Sequence, residues 1–226
     1  MRIKKIILLS LTVLLPIFAQ AQEETPSVSI TVTYQMNGET KEATSSFAEQ
    51  APLVATLRSN PQNMAGYSPI YEWHFKKQGA DTDLLVRYEE DTEYTFADAG
   101  VYQVTIIAKQ NDDGTEIASS SIDITIKDSK LTFPNAFSPN DDIYNKEFRA
   151  KEYQSLVEFH AYIFNRWGQK LYEWTDPAGA WDGTYNGQPV KEGTYYLLCK
   201  ARGADGIIYN IRKDVNLLRG FTQKDQ

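Results

Sequence analysis

Ser27-Val28-Ser29-Ile30-Thr31-Val32-Thr33-Tyr34 is the stretch that decides the fold class. Val28, Ile30, Val32 and Tyr34 fall on one side of an extended chain, and Ser29, Thr31 and Thr33 on the other. This is the period-two pattern of a strand with one face against a core. The pattern returns downstream. Residues 53–57 follow Pro52, residues 70–75 place Tyr71, Trp73 and Phe75 on one face, and residues 101–109 and 122–127 alternate around the turn signal Asn111-Asp112-Asp113-Gly114. Breakers at Asn60-Pro61, Gly66 and Pro69 mark a loop. No segment carries the period of a long amphipathic helix.

The second half reads the same way. Strands are predicted over 158–165, 169–174, 193–201 and 207–218, the last with a break inside, and Asp182-Gly183 and Asn186-Gly187 are strong turn dipeptides. Asp128-Ser129-Lys130 is the expected linker, too short to let two modules tumble freely. The expected fold is all-β: two consecutive immunoglobulin-like antiparallel β-sandwiches after a cleaved signal peptide.

The N-terminus carries that signal. Arg2, Lys4 and Lys5 precede an apolar run over 6–18, and Ala19-Gln20-Ala21 offers small residues where signal peptidase reads, so cleavage is expected between Ala21 and Gln22. The run is too short for a transmembrane span, which needs about 20 residues. No cysteine sits at the cleavage point to make a lipoprotein, and no later run is long enough to span. The chain has 23 Lys and Arg against 30 Asp and Glu; losing the three basic residues of the signal takes the net charge from −7 to −10. That excess of acid disfavours nucleic acid and anionic lipid as partners and suits solubility outside the cell. Cys199 is the lone cysteine, so no internal disulfide forms and each module must be stable by burial alone.

Five strings in the second half occur in a fixed order: Phe133-Pro134-Asn135-Ala136-Phe137-Ser138-Pro139-Asn140, Ile163-Phe164-Asn165-Arg166-Trp167-Gly168, Trp181-Asp182-Gly183, Gly193-Thr194-Tyr195-Tyr196 and Leu217-Leu218-Arg219. Together they closely resemble the gliding-motility-associated C-terminal domain, the type B sorting domain of the type IX secretion system. The resemblance implies an address rather than a catalyst, with the outer-membrane translocon as partner. Upstream, Tyr71-Glu72-Trp73-His74-Phe75 and the string EYTFADAGVYQVTI over 93–106 resemble a PKD-type domain, whose Y-x-W-x-F strand supplies a core tryptophan. Lys76-Lys77-Gln78-Gly79 stands where that family usually has a Gly-Asp-Gly turn. The expected organisation is a signal over 1–21, a PKD-like sandwich over 22–128, the sorting domain over 129–222 and a tail over 223–226.

Trp167 and Trp181 are expected to fill a core rather than form a sugar platform. Asn140, Asp141, Asp142 and Asn145 resemble an oxygen-rich calcium loop, but the family pattern FSPNGDGxND reads FSPNDDIYNK here. Asp141 and Ile143 replace its glycines and Lys146 its final acid, so a solvated turn is expected and no metal. His74 is expected at the surface, and His74 and His160 on separate modules cannot make a zinc site. Cys199 shares a strand face with Tyr195 and Leu197 and is expected to be buried and inert. The acidic pairs cluster at turns rather than across a cleft, and no phosphate-binding loop opens a helix. Arg219 reads as the solvated end of an edge strand, or, by the resemblance, as part of the module the translocon recognises.

The expectation is therefore a secreted or cell-surface protein that is not an enzyme, needs no cofactor, and reaches the outside through the periplasm. Its partners are the translocon and an unknown surface protein or polysaccharide. The alternatives are a carbohydrate-binding module of the envelope, with Tyr67, Tyr71 and Tyr94 as candidates, or an accessory component of the secretion or gliding apparatus.

Overall fold

Asn37 and Gly38, at φ 53° and 79°, turn the first strand back on itself in the geometry that two-residue hairpins require. From that hairpin the first sandwich is built. This computed structural model describes residues 24–140 and 144–220, so the signal, the cleavage point at Ala21 and Gln22, residues 141–143 and the tail lie outside the described residues. The strands of the first module are β1 Thr31–Met36, β2 Glu39–Ala43, β3 Phe47–Glu49, β4 Leu53–Arg58 and β5 Pro69–Lys77. They continue as β6 Leu85–Arg87, β7 Asp91–Phe96, β8 Gly100–Gln110 and β9 Glu116–Ile126. One sheet has the order β2-β1-β4-β7 and the other β3-β9-β8-β5-β6.

Val28, Ile30, Val32 and Tyr34 are all buried, as their alternation requires. The ladder nonetheless starts at Thr31, because the segment before it bonds to a loop: Ser29 N–H donates to Ser59 O, and Ser27 bridges Gln62. Trp73 and Phe75 are fully buried between the sheets, and the Trp73 indole N–H donates to the carbonyls of Glu89 and Glu90. Burial of an aromatic this large contributes several kcal/mol provided its N–H finds a partner, and here it does.

The second module contains β10 Lys130–Thr132, β11 Ala136–Phe137, β12 Phe148–Arg149, β13 Glu152–Gln154, β14 Leu156–Phe164 and β15 Lys170–Trp174. It continues with β16 Ala180–Trp181, β17 Thr184–Tyr185, β18 Gln188–Pro189, β19 Gly193–Gly203 and β20 Ile208–Leu217. A five-stranded sheet, β11-β20-β19-β14-β15, faces the small pairs β10-β13 and β12-β16 across a core of Phe133, Phe137, Phe148, Phe159, Ile163, Trp181 and Leu197.

Two departures from expectation stand out. The sandwiches are not wholly antiparallel: β3 runs parallel to β9 and β11 parallel to β20, where short strands cross from one sheet to the other. And β20 has no break. It pairs with β19 in one register from Gly193↔Leu217 to Arg202↔Ile208. Its inward-facing charge, Lys213, is satisfied by donating to Phe133 O at 2.6 Å, so the strand need not bulge to release it.

Both modules carry the same corner. Gly100 and Gly193 sit at φ 134° and 144°, each two residues before a tyrosine. The Tyr102 hydroxyl donates to Asp98 O at 2.8 Å and the Tyr195 hydroxyl to Lys191 O at 2.6 Å. This hydroxyl-to-backbone tie, four residues upstream, is the tyrosine corner of Greek-key sandwiches.

The modules touch. The β19–β20 turn places Ala204 in the core of the first module. Ala99 N–H donates to Ala204 O at 3.0 Å, and Ala51 N–H donates to Ser155 Oγ at 3.1 Å. Asp205 holds the linker by accepting from Ser129 N–H and Oγ–H, both at 2.8 Å. A side chain at position 203 would lie 2.1 Å from Ser129 Oγ, so only glycine lets the turn approach the linker this closely.

Candidate functional site: interlocked signature loops

Four of the five signature strings, scattered over more than eighty residues, meet at one pole of the second sandwich. Phe137, on β11, packs against Trp181 with ring centroids 5.3 Å apart, and Tyr195 meets Trp181 edge-on at 5.2 Å. Trp181 is fully buried and its indole N–H donates to Thr184 O at 2.8 Å. Asp182 caps the following turn by accepting from both Thr184 N–H and Thr184 Oγ–H.

Gly183 sits at φ 79° and is buried against its neighbours. A Cβ there would be 3.0 Å from Leu217 Cδ1, 3.1 Å from Pro139 Cγ and 3.3 Å from Phe137 Cζ. Glycine is needed twice over, for conformation and for space. The FSPN string is held from the other side. Ser138 is buried and its N–H donates to Asn145 O, while Leu218 N–H donates to Phe137 O and Asn216 N–H to Asn135 O. Phe133 stacks on Phe148 at 5.8 Å.

Arg219 closes the pole. Its guanidinium donates to Pro139 O at 3.1 Å, to Gly183 O at 3.0 Å and to Val190 O at 3.1 Å, tying three loops together. The expectation of a solvated arginine on an edge strand is corrected on both counts. β20 lies between β11 and β19, and the guanidinium is half-buried among the loop carbonyls it bonds, of which Gly183 O also accepts from Val190 N–H. Glu192, which the sequence did not single out, accepts from the N–H groups of Gly220 and Arg219, and these bonds hold its carboxyl below the usual range. Its only signal in the sequence was a place just before the Gly193 string.

The fifth string behaves differently. Phe164 ends β14, and the Oδ1 of Asn165 just after it accepts from Trp167 N–H and Gln169 N–H, with Gly168 at φ 80° completing the turn. The expectation that Trp167 fills the core is overturned: it is 76% exposed, whereas Trp181 is fully buried. The turn is closed by Asn165 and Gly168 alone, so the indole is left outside. The Arg166 guanidinium lies 4.5 Å from its ring centroid.

Other candidates are accounted for locally. Cys199 is buried, and burial pushes its thiol up to about 12. His74 lies between Asp83, at 2.8 Å, and Glu72, which also accepts from Lys109 Nζ at 2.6 Å. His160 stacks on Tyr162. Tyr94 packs against Phe75 and Phe96 and Tyr71 against the same core, so with Tyr67 they form no coplanar row. Asp142, one arm of the considered calcium loop, lies outside the described residues. Among the described residues no three His, Cys, Asp or Glu side chains converge as a metal set, and no helix is long and apolar enough to cross a membrane.

An all-β module closed by signature loops is the class that fold and site define. Residues 131–209 match the family described as CHU_C Type IX secretion signal domain, and such a domain directs a chain to the cell surface or the medium. No curated protein matches the chain in sequence. Among solved structures the chain is similar to dimeric latent PorU from Porphyromonas gingivalis, at 9% identity over 88% of this chain and 20% of that one, TM-score 0.27. It is similar to a tetra-tandem repeat from the extending region of a large adhesion protein, at 12% identity over 86% of this chain and 68% of that one, TM-score 0.29. It is also similar to the SGBP-B protein of a Bacteroides ovatus mixed-linkage glucan utilization locus, at 17% identity over 77% of this chain and 43% of that one, TM-score 0.26. The chain thus spans a fifth of PorU and less than half of SGBP-B.

Proposed function

We propose that this chain is an exported surface protein that works by contact rather than by catalysis. A signal over 1–21, cut between Ala21 and Gln22, takes it through the inner membrane. Residues 129–222 then serve as a type B sorting module that engages the type IX translocon, and the PKD-like module of 22–128 is the cargo, adhering to a surface protein or polysaccharide.

The observation that carries this reading is the Arg219 lock, which joins the FSPN, WDG and LLR strings into one folded pole next to the Gly193 string. Signals far apart in sequence become one folded unit, which is what a receptor for a folded address needs. Contact rather than catalysis is favoured by the state of the reactive groups. The thiol of Cys199 is buried, His74 is held by the Asp83 and Glu72 carboxylates, and His160 by the Tyr162 hydroxyl.

The test is fractionation of cells making the full chain or a chain ended before Leu131. The full chain is expected at the surface or in the medium and the truncated one in the periplasm. Truncated protein at the surface would overturn the address.

A further inference from the structure

The Trp167 indole stands in water, more exposed than any other large apolar side chain described, although its hairpin turn does not need it. Arg166, which packs on the indole, also edges a groove of about 900 Å³ over the outer face of the five-stranded sheet, floored by Phe164, Tyr196 and Leu198 and edged on its other side by Arg212. Among the described residues neither arginine meets a carboxylate within 4 Å. The groove's outward charges are Arg166 and Arg212 against the one acid Asp214, the Lys213 ammonium being turned inward to Phe133 O, in a chain whose net charge is −7. This is a cationic, aromatic patch on an acidic protein.

We propose that this tip and groove are the docking surface for an acidic, extended segment of a protein of the export machinery, with Trp167 as the anchor and Arg166 and Arg212 as carboxylate clamps. The proposal rests on the reading of residues 129–222 as the address and names the part of it that is touched. Tryptophan and arginine dominate interface hot spots because each covers a large area at small entropic cost, and arginine takes a carboxylate in bidentate geometry. A sugar platform is disfavoured by the same geometry, since one face of the indole is already covered by the Arg166 guanidinium. The charge balance of the groove selects a partner of opposite sign.

The experiment compares three full-chain forms and one truncation in a bacterium with the type IX machinery: wild type, Trp167→Ala, the double variant Arg166→Glu/Arg212→Glu, and the chain ended before Leu131. The readouts are the ratio of surface to periplasmic protein and, for the purified full-length chains, the melting temperature and binding on a glycan array. The expected result is a fall in the exported fraction of about tenfold or more for both tip variants, with melting temperatures within about 2 °C of wild type. If the truncated chain is retained while both tip variants are exported like wild type, the docking surface is refuted and the address stands. Export of the truncated chain would remove the address itself and the docking surface with it. Wild-type export with lost binding on a glycan array would make the tip a sugar platform and overturn the proposal, as would a lowered melting temperature that accounts for the export defect.

Discussion

Arg219 donates from Nη2 to the carbonyl oxygen of Gly183 at 3.0 Å, across 36 residues of sequence. Gly183 is also the residue whose missing side chain makes room for Leu217, two positions before that arginine. The lock and the space it closes over are therefore one device, built from a turn glycine and a terminal strand.

Replacing Arg219 with alanine removes the guanidinium bonds to Pro139 O, Val190 O and Gly183 O, the last of which keeps Val190 N–H as a donor. Hydrogen bonds to a charged group contribute about 1.5–3 kcal/mol, and solvent partly compensates a half-buried group, so a loss of about 2 kcal/mol is expected in urea unfolding. Arg219→Lys should recover only part of it, because an ammonium cannot span the carbonyls that the planar fork reaches.

Gly183→Ala should destabilise by about 1–3 kcal/mol, combining the cost of positive φ with a Cβ forced onto Leu217 and Pro139. Gly187→Ala, also at positive φ but in open space, should cost less, and thermal unfolding of the pair measures the difference.

The two signature tryptophans should part company. Trp181→Ala removes a fully buried ring and is expected to cost about 3–5 kcal/mol, whereas Trp167→Ala should stay within about 0.5 kcal/mol. Iodide quenching of tryptophan fluorescence should fall markedly in the Trp167 variant.

Asp205 gives a pH signature. Desolvation pushes its carboxyl up, but bonds from Ser129 and from Ile207 N–H outweigh this, and its folded value lies below the ordinary one. A depressed carboxyl stabilises the fold above the unfolded value, about 3.9, and loses that contribution as pH falls through the folded value. The melting temperature of wild type should exceed that of Asp205→Asn at pH 7, and the gap should close as the pH falls from the unfolded value through the lower folded one.

Cys199 should resist alkylation in the native chain at pH 7, since burial pushes its thiol up to about 12. Labelling by a maleimide should appear only with unfolding, and modification of the native protein at the rate of a free thiol would contradict the burial.

Local alternation determined the sandwich class on its own. Val28, Ile30, Val32 and Tyr34 share a face in any extended chain, and a chain with one apolar face has to cover it; Trp73 and Phe75 follow the same rule. The signature strings were legible too, as strings. Their roles were not. Trp167 and Trp181 sit in similar settings in the sequence, each near a glycine turn, yet one is at the tip of a hairpin and the other beneath three loops. Nothing local separates them, because exposure depends on what the rest of the chain brings alongside. Arg219 is the same case: its partners are 29, 36 and 80 residues away, so the sequence alone could place the guanidinium only in water. Side-chain period is a property of neighbours along the chain and can be read from it. Which polar group meets which carbonyl, and which indole stays dry, was decided only when β11 and β20 paired and the loops closed over Trp181.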